Sequence, residues 1–501
     1  MRTRPRYLLE IVVFCVGMAS LGAEIAAARL LAPWFGASTI VWANTIATVL
    51  VALSIGYAIG GRLADRNPTI QGLARWVLLA SAMLALVPFV SNPFLRMSVS
   101  AFDQLSGGLF VGSLLGVGVL IAVPVLLLGM VSPYAVRLKI DQVDDAGRVA
   151  GRLYAIGTIG SLTGTFAASL LLIPLVGSQR TFLIFALVIA LVVIPALGRR
   201  WVVGVAVAVA IAGLIAVPVG TTKTVTADGK VIWEKETEYQ YARVIEETDG
   251  ERVLELNEGQ AVHSIWRKDE YLMGGYWDSM LALSFAGDHA PERVVNLGSA
   301  AGTVARGLDH YFPDIKVDAV ELDPDVTEVG EELFDFHGEN ISKHTADARP
   351  WLQRQPETSF DAILVDAYRQ PYIPFYLTTK EFFDVVESRL RPGGTVSVNV
   401  GHVEGSDALE KVLTATMRAS FGDDRVWRDA VNDTSTILLA TKGDYDPAQR
   451  LREADLPDAV RPVAVDAAAR LEPGLRGGSV YTDDRAPVEW LIDASLAQVA
   501  E

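Results

Sequence analysis

Seven apolar stretches fill the first 219 residues of the chain, and they restrict this part to a small set of structures. Each is close to the roughly 20 apolar residues that an α-helix needs to cross a lipid bilayer. Because lipid offers no hydrogen-bond partner to an open backbone, segments that cross it are helices or closed barrels. We predict helical spans at 7–31, 39–61, 73–91, 108–132, 151–176, 181–197 and 201–219. Residues 1–220 are thus expected to form a multi-pass transmembrane domain of about seven helices in the cell membrane.

The formal charge changes sign where the apolar stretches end. Residues 1–219 carry a net charge of +8 and the remaining residues −24, within a total of −16. So acidic a remainder is typical of a soluble domain, and it lacks the Lys and Arg clusters that bind phosphates. We therefore expect no nucleic-acid partner. Cys15 is the only cysteine and the histidines show no metal-ligand spacing, so we predict no disulfide and no metal.

Basic residues of the membrane half fall mainly on alternate loops, which the positive-inside rule assigns to the cytoplasm. With seven spans, this rule puts the N-terminus inside and the acidic domain outside. One miscounted span between 181 and 219 would instead put the acidic domain in the cytoplasm. Both orientations stay open at this stage.

Small and charged residues within the spans also carry predictions. Glycines four residues apart, such as Gly56 with Gly60 and Gly160 with Gly164, predict close packing of helices. Glu24 and Arg29 stand inside the first span, where a charge is costly. They indicate either a buried structural pair or a polar path for a cationic solute.

From residue 221 the pattern changes to short alternating runs that are typical of β-strands. A turn is predicted at Asp249-Gly250. The predicted strands are 230–238, 242–247, 252–257 and 261–266. Residues 221–290 are therefore expected to form a small antiparallel β-unit that ends in a helix near 275–286.

A βαβ nucleotide-binding pattern follows at 293–324. An apolar run leads to a turn with Gly298 and Gly302, then to a helix-like segment and a second apolar run that ends at Glu321. Small residues let the backbone of such a turn approach a ligand, and the acid can accept hydrogen bonds from both ribose hydroxyls. We predict that Gly298, Gly302 and Glu321 bind a nucleoside.

Strands and helices continue to alternate after Glu321, which predicts a Rossmann-like, doubly wound α/β domain over 291–501. Two further acids, Asp347 and Asp366, follow predicted strands. Ligands of such sheets lie at the carboxyl ends of the strands, so we expect the three acids to form one site. A structural strand-end cap is the alternative for Asp366.

These motifs resemble the spermidine synthase family of aminopropyltransferases, whose fold is of the class I methyltransferase type, and the whole chain resembles its membrane-fused members. The resemblance covers about residues 230–400. It implies that Asp366 accepts the proton of an attacking amine. It also implies that the nucleoside of decarboxylated S-adenosylmethionine, or of S-adenosylmethionine, is contacted by Gln240, Glu321, Asp347 and Ala348.

Three departures from the family concern the amine. Ser299-Ala-Ala301 occupies the turn where the family carries an amine-binding Asp, and Arg369 stands where a second Asp is usual. Gly274-Gly-Tyr-Trp-Asp278 replaces a Tyr-His segment, so that histidine is missing. Since carboxylates bind ammonium groups, these replacements weaken the case for putrescine as the acceptor.

The leading hypothesis is a membrane-anchored aminopropyltransferase that acts on an amine such as putrescine. Asp366 would be its base, and Tyr239, Tyr368 and Tyr372 would hold the cationic substrate. A proline- and aromatic-rich segment, 371–378, is expected to cover the pocket as a lid.

Two alternatives stay open. An S-adenosylmethionine-dependent methyltransferase would use the same nucleoside pocket, whereas a non-enzymatic polyamine transporter or sensor would account for the lost acids. The expected partners are a small amine and the lipid bilayer, and a homodimer is the assembly considered.

Overall fold

A computed structural model of the protein describes residues 7–35, 39–102, 108–140, 142–217, 229–257, 261–368 and 372–499. These residues form two compact units. The first contains the described residues up to 217 and the segment Lys235–Tyr241, and the second contains residues 229–234 and the described residues from 242 onward. Arg369 and Pro371 lie outside the described residues. The boundaries predicted at residues 220 and 290 stay predictions.

Up to residue 217 the first unit is helical. Within a helix the backbone N–H and C=O groups of an apolar run bond to each other and need no outside partner. The helices are α1 (Leu8–Phe35), α2 (Thr39–Arg66), α3 (Ile70–Phe102), α4 (Gly108–Gly129), α5 (Val131–Lys139), α6 (Ala146–Phe166), α7 (Ile173–Val193) and α8 (Trp201–Ala216). A π-helical segment, Ala167–Leu172, joins α6 to α7. Short 3-10 turns lie at Val143–Asp145, Ile194–Ala196 and Gly198–Arg200.

Among the residues that the structure describes, six helical runs are long and apolar enough to cross a membrane. The fifth, Ala146–Ala196, has 51 residues and contains α6 and α7. Gly177 interrupts this run with φ 82° and ψ 166°, which lie far from helical values. The run therefore contains two of the seven predicted spans, and each of the other five runs matches one. The side of the membrane that each end faces stays a prediction.

Glycines set how closely the helices of this unit approach each other. A Cβ atom at Gly160 would lie 2.1 Å from the carbonyl oxygen of Phe14 in α1, and one at Gly56 would lie 2.2 Å from that of Leu126 in α4. Real Cβ atoms do not approach so closely, so only glycine fits at these crossings. The close packing predicted from the glycine spacing is confirmed at both pairs of helices.

Charged residues of α1 have partners outside that helix. Lys139 donates a hydrogen bond to Glu10 at 2.7 Å, and Arg29 donates one to the carbonyl oxygen of Glu238. Glu236 in turn accepts two hydrogen bonds from Ser178, from its N–H at 2.9 Å and from its hydroxyl at 2.7 Å. These contacts attach the segment Lys235–Tyr241 to the first unit.

A four-stranded antiparallel sheet precedes the nucleotide-binding pattern. Its strands pair in sequence order, and helix α9 (Tyr276–Leu283) follows them. The strands are β1 (Lys230–Glu236), β2 (Tyr241–Glu246), β3 (Arg252–Leu256) and β4 (Val262–Trp266). This sheet is the antiparallel unit that the alternating pattern predicted.

The rest of the second unit alternates strands and helices. The strands are β5 (Arg293–Leu297), β6 (Lys316–Glu321), β7 (Ile341–Thr345), β8 (Phe360–Val365), β9 (Leu390–Gly401), β10 (Val426–Asn432), β11 (Ser435–Thr441) and β12 (Glu472–Pro473). The helices are α10 (Thr303–Tyr311), α11 (Pro324–Leu333), α12 (Ala348–Gln353), α13 (Lys380–Arg389), α14 (Ala408–Phe421), α15 (Pro447–Glu453), α16 (Arg461–Arg470) and α17 (Val488–Val499). A 3-10 turn spans Phe375–Leu377.

These eight strands form one mixed sheet in the order β12-β10-β11-β9-β8-β5-β6-β7. The five strands from β9 to β7 are parallel, and β11, β10 and β12 add an antiparallel edge. The chain runs outward from β5 to β7 and returns to β8, so the direction of the strand order reverses between β5 and β8. Ligands of open α/β sheets bind at this reversal. The predicted Rossmann-like fold is confirmed.

Both faces of the larger sheet are buried, as the apolar parallel strands require. Val294 of β5 lies in a buried cluster with Leu281 of α9 and Leu308 of α10. Val295 of the same strand lies in a different cluster with Phe383 of α13. Successive side chains of a strand point to opposite faces, so helices cover the sheet on two sides.

The turn after β5 requires glycine at two positions. Gly298 has φ +85°, and a Cβ atom there would lie 2.5 Å from the carbonyl oxygen of Asp366. Gly302 precedes α10 with φ +88°, and its Cβ would lie 2.2 Å from the ring of Phe336. Glycine therefore lets the turn lie directly against the end of β8.

We expect Gly302→Ala to lower the free energy of unfolding of the second unit by about 2–4 kcal/mol, because backbone strain adds to overpacking. Gly250→Ala is the matched control, since Gly250 also has φ +88° but has no atom within 4 Å of its Cβ position. Strain alone should cost about 1–2 kcal/mol there. Denaturant unfolding of the full-length protein, followed by hydrogen exchange in the sheet, measures both losses. Equal losses would contradict the steric argument.

Candidate active site

Glu321, the last residue of β6, holds the turn that follows β5. Its Oε2 accepts a hydrogen bond from the N–H of Ala300 at 2.9 Å, and its Oε1 accepts one from the N–H of Asp323 at 3.1 Å. Burial raises the pKa of Glu321 to about 7, although these two hydrogen bonds act in the opposite direction. The carboxyl group thus orders the backbone where the nucleoside is predicted to bind.

Asp366 follows β8 and faces the same edge of the sheet. The side-chain amide of Asn399 donates a hydrogen bond to its Oδ1 at 2.8 Å, and the hydroxyl of Tyr276 donates a second to the carboxylate. Burial raises the pKa of Asp366 to about 7, and the negative charge of Glu321 adds to this increase. Asp366 is therefore an oriented carboxyl group that can exchange a proton near neutral pH.

Asp361 lies at the other end of β8, and its pKa is lowered, whereas that of Asp366 is raised. Burial alone would raise its pKa, but hydrogen bonds from His289 and from the N–H groups of Arg293 and Glu292 hold the pKa below its usual range. Arg391 adds an ion pair at 3.0 Å. The fold therefore stabilises the ionised form of Asp361 at one end of β8 and destabilises that of Asp366 at the other.

Two tyrosines lie beside Asp366. The Tyr368 hydroxyl donates a hydrogen bond to the carbonyl oxygen of Asn399 at 3.0 Å and accepts one from the N–H of Gly401 at 2.6 Å. Burial, together with the charge of Asp366, raises the pKa of both Tyr368 and Tyr276. Both phenols therefore stay neutral near pH 7.

Tyr276 was not among the residues predicted from the sequence. A signal existed, because Tyr276 lies in the segment Gly274–Asp278 that replaces the family's Tyr-His pair. Its position at the start of α9 brings its hydroxyl to Asp366, 90 residues further along the chain. This contact arises from the packing of α9 on the sheet and could not be predicted from the sequence.

Asp347 caps helix α12 and contacts the predicted lid. Its Oδ1 accepts a hydrogen bond from the N–H of Arg349 at 3.1 Å, and its Oδ2 accepts one from the Tyr376 hydroxyl at 2.8 Å. Arg349 forms two hydrogen bonds with Asp483, both at 2.7 Å, and Asp483 also accepts one from Thr379 at 2.8 Å. The C-terminal segment around Asp483 therefore anchors Thr379, which lies just after the predicted lid.

A cavity of about 690 Å³ lies over the carboxyl ends of β8 and β9. Its walls come from β4, the start of α9, the glycine turn, the loop after β9 and helix α17. Asp366, Tyr276, Tyr368 and Asn399 line it, whereas Glu321 and Asp347 do not. The cavity therefore lies on the Asp366 side of the turn, where a second substrate could reach that carboxyl group.

The other predicted site residues lie in different surroundings. Tyr239 and Gln240 form a turn in which the hydroxyl of Thr237 accepts hydrogen bonds from both N–H groups, at 3.1 and 3.0 Å, and this turn belongs to the first unit. Tyr372 is only 2% exposed and does not line the cavity. Ala348 is buried beside Asp347. Within the described ranges, no group of three or more His, Cys, Asp or Glu side chains could hold a metal ion.

No family model matches the chain. A probable polyamine aminopropyl transferase of Bifidobacterium longum is 32% identical over 287 residues, which cover 53% of this chain and 63% of that protein. A polyamine aminopropyltransferase of Vibrio vulnificus is 30% identical over 182 residues, covering 35% and 60% respectively. Among solved structures, a probable spermidine synthase from Corynebacterium glutamicum has 20% identity and a TM-score of 0.39, and covers 50% of this chain and 98% of that one.

Polyamine aminopropyltransferases are thus homologues of about half of this chain, and the apolar helical region forms the N-terminal part. The chain spans about three fifths of the length of these two curated relatives.

Asp366→Asn should stabilise the second unit at high pH. Folding raises the pKa of Asp366 to about 7 from about 3.9 in the unfolded chain, so its contribution to stability is complete at low pH and is lost as pH rises toward 7. We expect the variant to be more stable than the wild type by on the order of 1–3 kcal/mol at pH 8 and nearly equal at pH 4. Denaturant titrations at both pH values measure this difference.

Asp361→Asn is the matched control on the same strand. Its lowered pKa has the opposite sign, so the wild-type carboxylate stabilises the fold above pH 4 and the variant should be less stable at pH 8. A loss of stability at pH 8 in both variants would contradict the assignment of Asp366 as a destabilised anion.

Proposed function

We propose that this protein is a membrane-anchored aminopropyltransferase. It transfers the aminopropyl group of decarboxylated S-adenosylmethionine to an amine acceptor. The observation that carries the proposal is Asp366, a carboxyl group of pKa about 7 that Asn399 and Tyr276 orient at the wall of a cavity beside the glycine turn.

The reaction needs a base at this position. The neutral nitrogen of the acceptor attacks the methylene carbon next to the sulfonium sulfur, and the C–N bond forms as the C–S bond breaks. The bonding electron pair goes to sulfur, which leaves as neutral methylthioadenosine. The excess proton of the new secondary amine goes to the carboxylate of Asp366, whose pKa near 7 suits an acceptor that works at neutral pH.

The nucleoside would lie on the other side of the glycine turn. Glu321 ends the second strand of the βαβ pattern, where an acid can accept hydrogen bonds from both ribose hydroxyls, and the N–H of Ala300 keeps its carboxylate at the turn. Asp347 and Ala348 would contact the base, as the family resemblance implies. Tyr276 and Tyr368, neutral phenols beside Asp366, would hold the cationic substrate.

The relatives support this chemistry, because the two described above are named as polyamine aminopropyl transferases. The apolar helices of the first unit support membrane anchoring.

Two substitutions test the roles of the acids. Asp366→Asn should lower kcat by about 10²- to 10⁴-fold, because it removes the proton acceptor and keeps the shape of the side chain. Glu321→Gln should act mainly on KM for decarboxylated S-adenosylmethionine, by about tenfold, since it weakens a charge-assisted hydrogen bond. Chromatographic measurement of methylthioadenosine release by the full-length protein in nanodiscs gives both constants. Asp407→Asn, at an exposed acid outside the cavity, is the control for a general charge effect.

The same assay separates the alternatives. S-adenosylmethionine in place of its decarboxylated form should give no product, and formation of S-adenosylhomocysteine with any acceptor would instead establish a methyltransferase. Binding of decarboxylated S-adenosylmethionine without release of methylthioadenosine would contradict the proposed enzymatic activity and favour the non-enzymatic alternative.

The pH dependence should report both carboxyl groups. Asp366 and Glu321 each have a pKa raised to about 7, and both must be ionised for proton transfer and ribose binding. Below about pH 6 the logarithm of kcat/KM for decarboxylated S-adenosylmethionine should rise with a slope approaching two, and it should level off above about pH 8. In Glu321→Gln the limiting slope should fall to about one. An unchanged slope in that variant would show that Glu321 does not titrate with activity.

A further inference from the structure

The charges that line the cavity bear on which amines it can accept. Among the described residues that line it, two are acids: Asp366 after β8 and Glu404 in the loop after β9. Glu404 is exposed to solvent, and Asp366 is partly buried. The glycine turn contributes Ala300 to the wall, with φ +45°, so no carboxylate comes from that turn. Asp366 is thus the only carboxyl group of the described lining that is partly buried.

Neutral polar side chains of the wall take part in hydrogen bonds, but not all of them with each other. Tyr368 bonds to backbone groups and His402 to Thr436 outside the wall, whereas three pairs join two side chains of the wall. Part of the hydrogen-bonding capacity that a second ammonium group would need is therefore already in use. The pairs are Ser406 Oγ with Ser495 Oγ at 2.9 Å, Ser435 Oγ with Asn399 Oδ1 at 3.1 Å and Thr434 Oγ1 with Asn432 Oδ1 at 3.1 Å.

Much of the remaining wall is apolar. Val262, Trp277, Val403, Leu409 and Ile492 all line the cavity, and Trp277 and Leu409 are 9% and 4% exposed. A charged end placed against such a surface loses its hydration without a counter-charge, whereas a hydrocarbon chain gains from burial. The volume of about 690 Å³ is that of a whole small-ligand site.

From these observations we infer that the acceptor is a primary monoamine with an apolar alkyl or arylalkyl remainder, and not a diamine. The inference rests on the proposed aminopropyl transfer and concerns the specificity of the same site. The amine nitrogen lies at Asp366, and the hydrocarbon remainder extends along Trp277 and Leu409 toward Ile492. The product is an N-alkylated 1,3-diaminopropane, formed with release of methylthioadenosine.

The test is an acceptor panel with the full-length protein in nanodiscs and decarboxylated S-adenosylmethionine. Hexylamine and phenethylamine are compared with putrescine and cadaverine, with methylthioadenosine measured by chromatography and the aminopropylated product by mass. We expect kcat/KM to be at least about tenfold higher for hexylamine than for putrescine. A preference for putrescine of similar size would overturn the inference and leave the proposed transfer intact. Failure of every amine to release methylthioadenosine would overturn the proposed function itself.

Substitutions at the turn test the charge argument directly. Ala300→Asp adds a carboxylate to the wall at a position whose positive φ an aspartate tolerates. It should reduce the preference for hexylamine over putrescine by about tenfold, since a diamine then finds a second carboxylate. Ala300→Asn, with the same shape and no charge, should leave the preference within about twofold. An equal shift in both variants would attribute the effect to shape and contradict the charge argument.

Glu404→Gln tests the remaining acid. If the exposed carboxylate of Glu404 does not bind the acceptor, kcat/KM for hexylamine and for putrescine should both stay within about twofold of the wild type. A loss of about tenfold or more that is confined to putrescine would show that Glu404 holds a second ammonium group, and the monoamine assignment would be wrong. Asp407→Asn, an exposed acid three residues away and outside the cavity lining, is the matched control.

Discussion

The close approach of the glycine turn to the end of β8 is the contact on which the site depends. Gly298 lies so near the backbone of Asp366 that a Cβ atom would be 2.5 Å from its carbonyl oxygen. This approach brings the turn that Glu321 holds beside the strand end that carries Asp366. Two carboxyl groups then share a poorly hydrated edge of the sheet, and each has its pKa raised to about 7. The chemistry of the site thus follows from a steric fit that only glycine permits.

The two carboxyl groups at the ends of strand β8 have opposite effects on the stability of the fold. At its start, Asp361 is surrounded by His289, Arg391 and backbone N–H groups, so its charge stabilises the sheet. At its end, Asp366 has two neutral donors, and burial of its charge costs stability. Perturbed carboxyl groups of this kind concentrate at functional sites, because catalysis needs a proton acceptor whose pKa lies near the working pH. The supporting network around Asp361 offsets part of that cost.

Local patterns predicted much of the fold, because hydrophobic periodicity and glycine placement are properties of short segments. The apolar stretches, the four-stranded sheet, the parallel strands and the turn with Gly298 and Gly302 all belong to this class. The antiparallel pairing of β10 and β12 at the sheet edge was not predicted, since strand order depends on contacts between distant segments. The continuous helical run Ala146–Ala196 was not predicted either, although its break at Gly177 falls between the predicted spans 151–176 and 181–197.

The sequence by itself determined which residues could take part in a site, since Glu321 and Asp366 follow strands of a pattern that brings strand ends to one edge. Only the tertiary structure decided what those residues can do. It placed Tyr276 and Asn399 on Asp366 from distant parts of the chain, and it formed a cavity that Asp366 lines but Glu321 does not. The physical reason is that a carboxyl group's pKa and its choice of partner depend on burial and on neighbouring dipoles, which arise from packing between segments far apart in sequence.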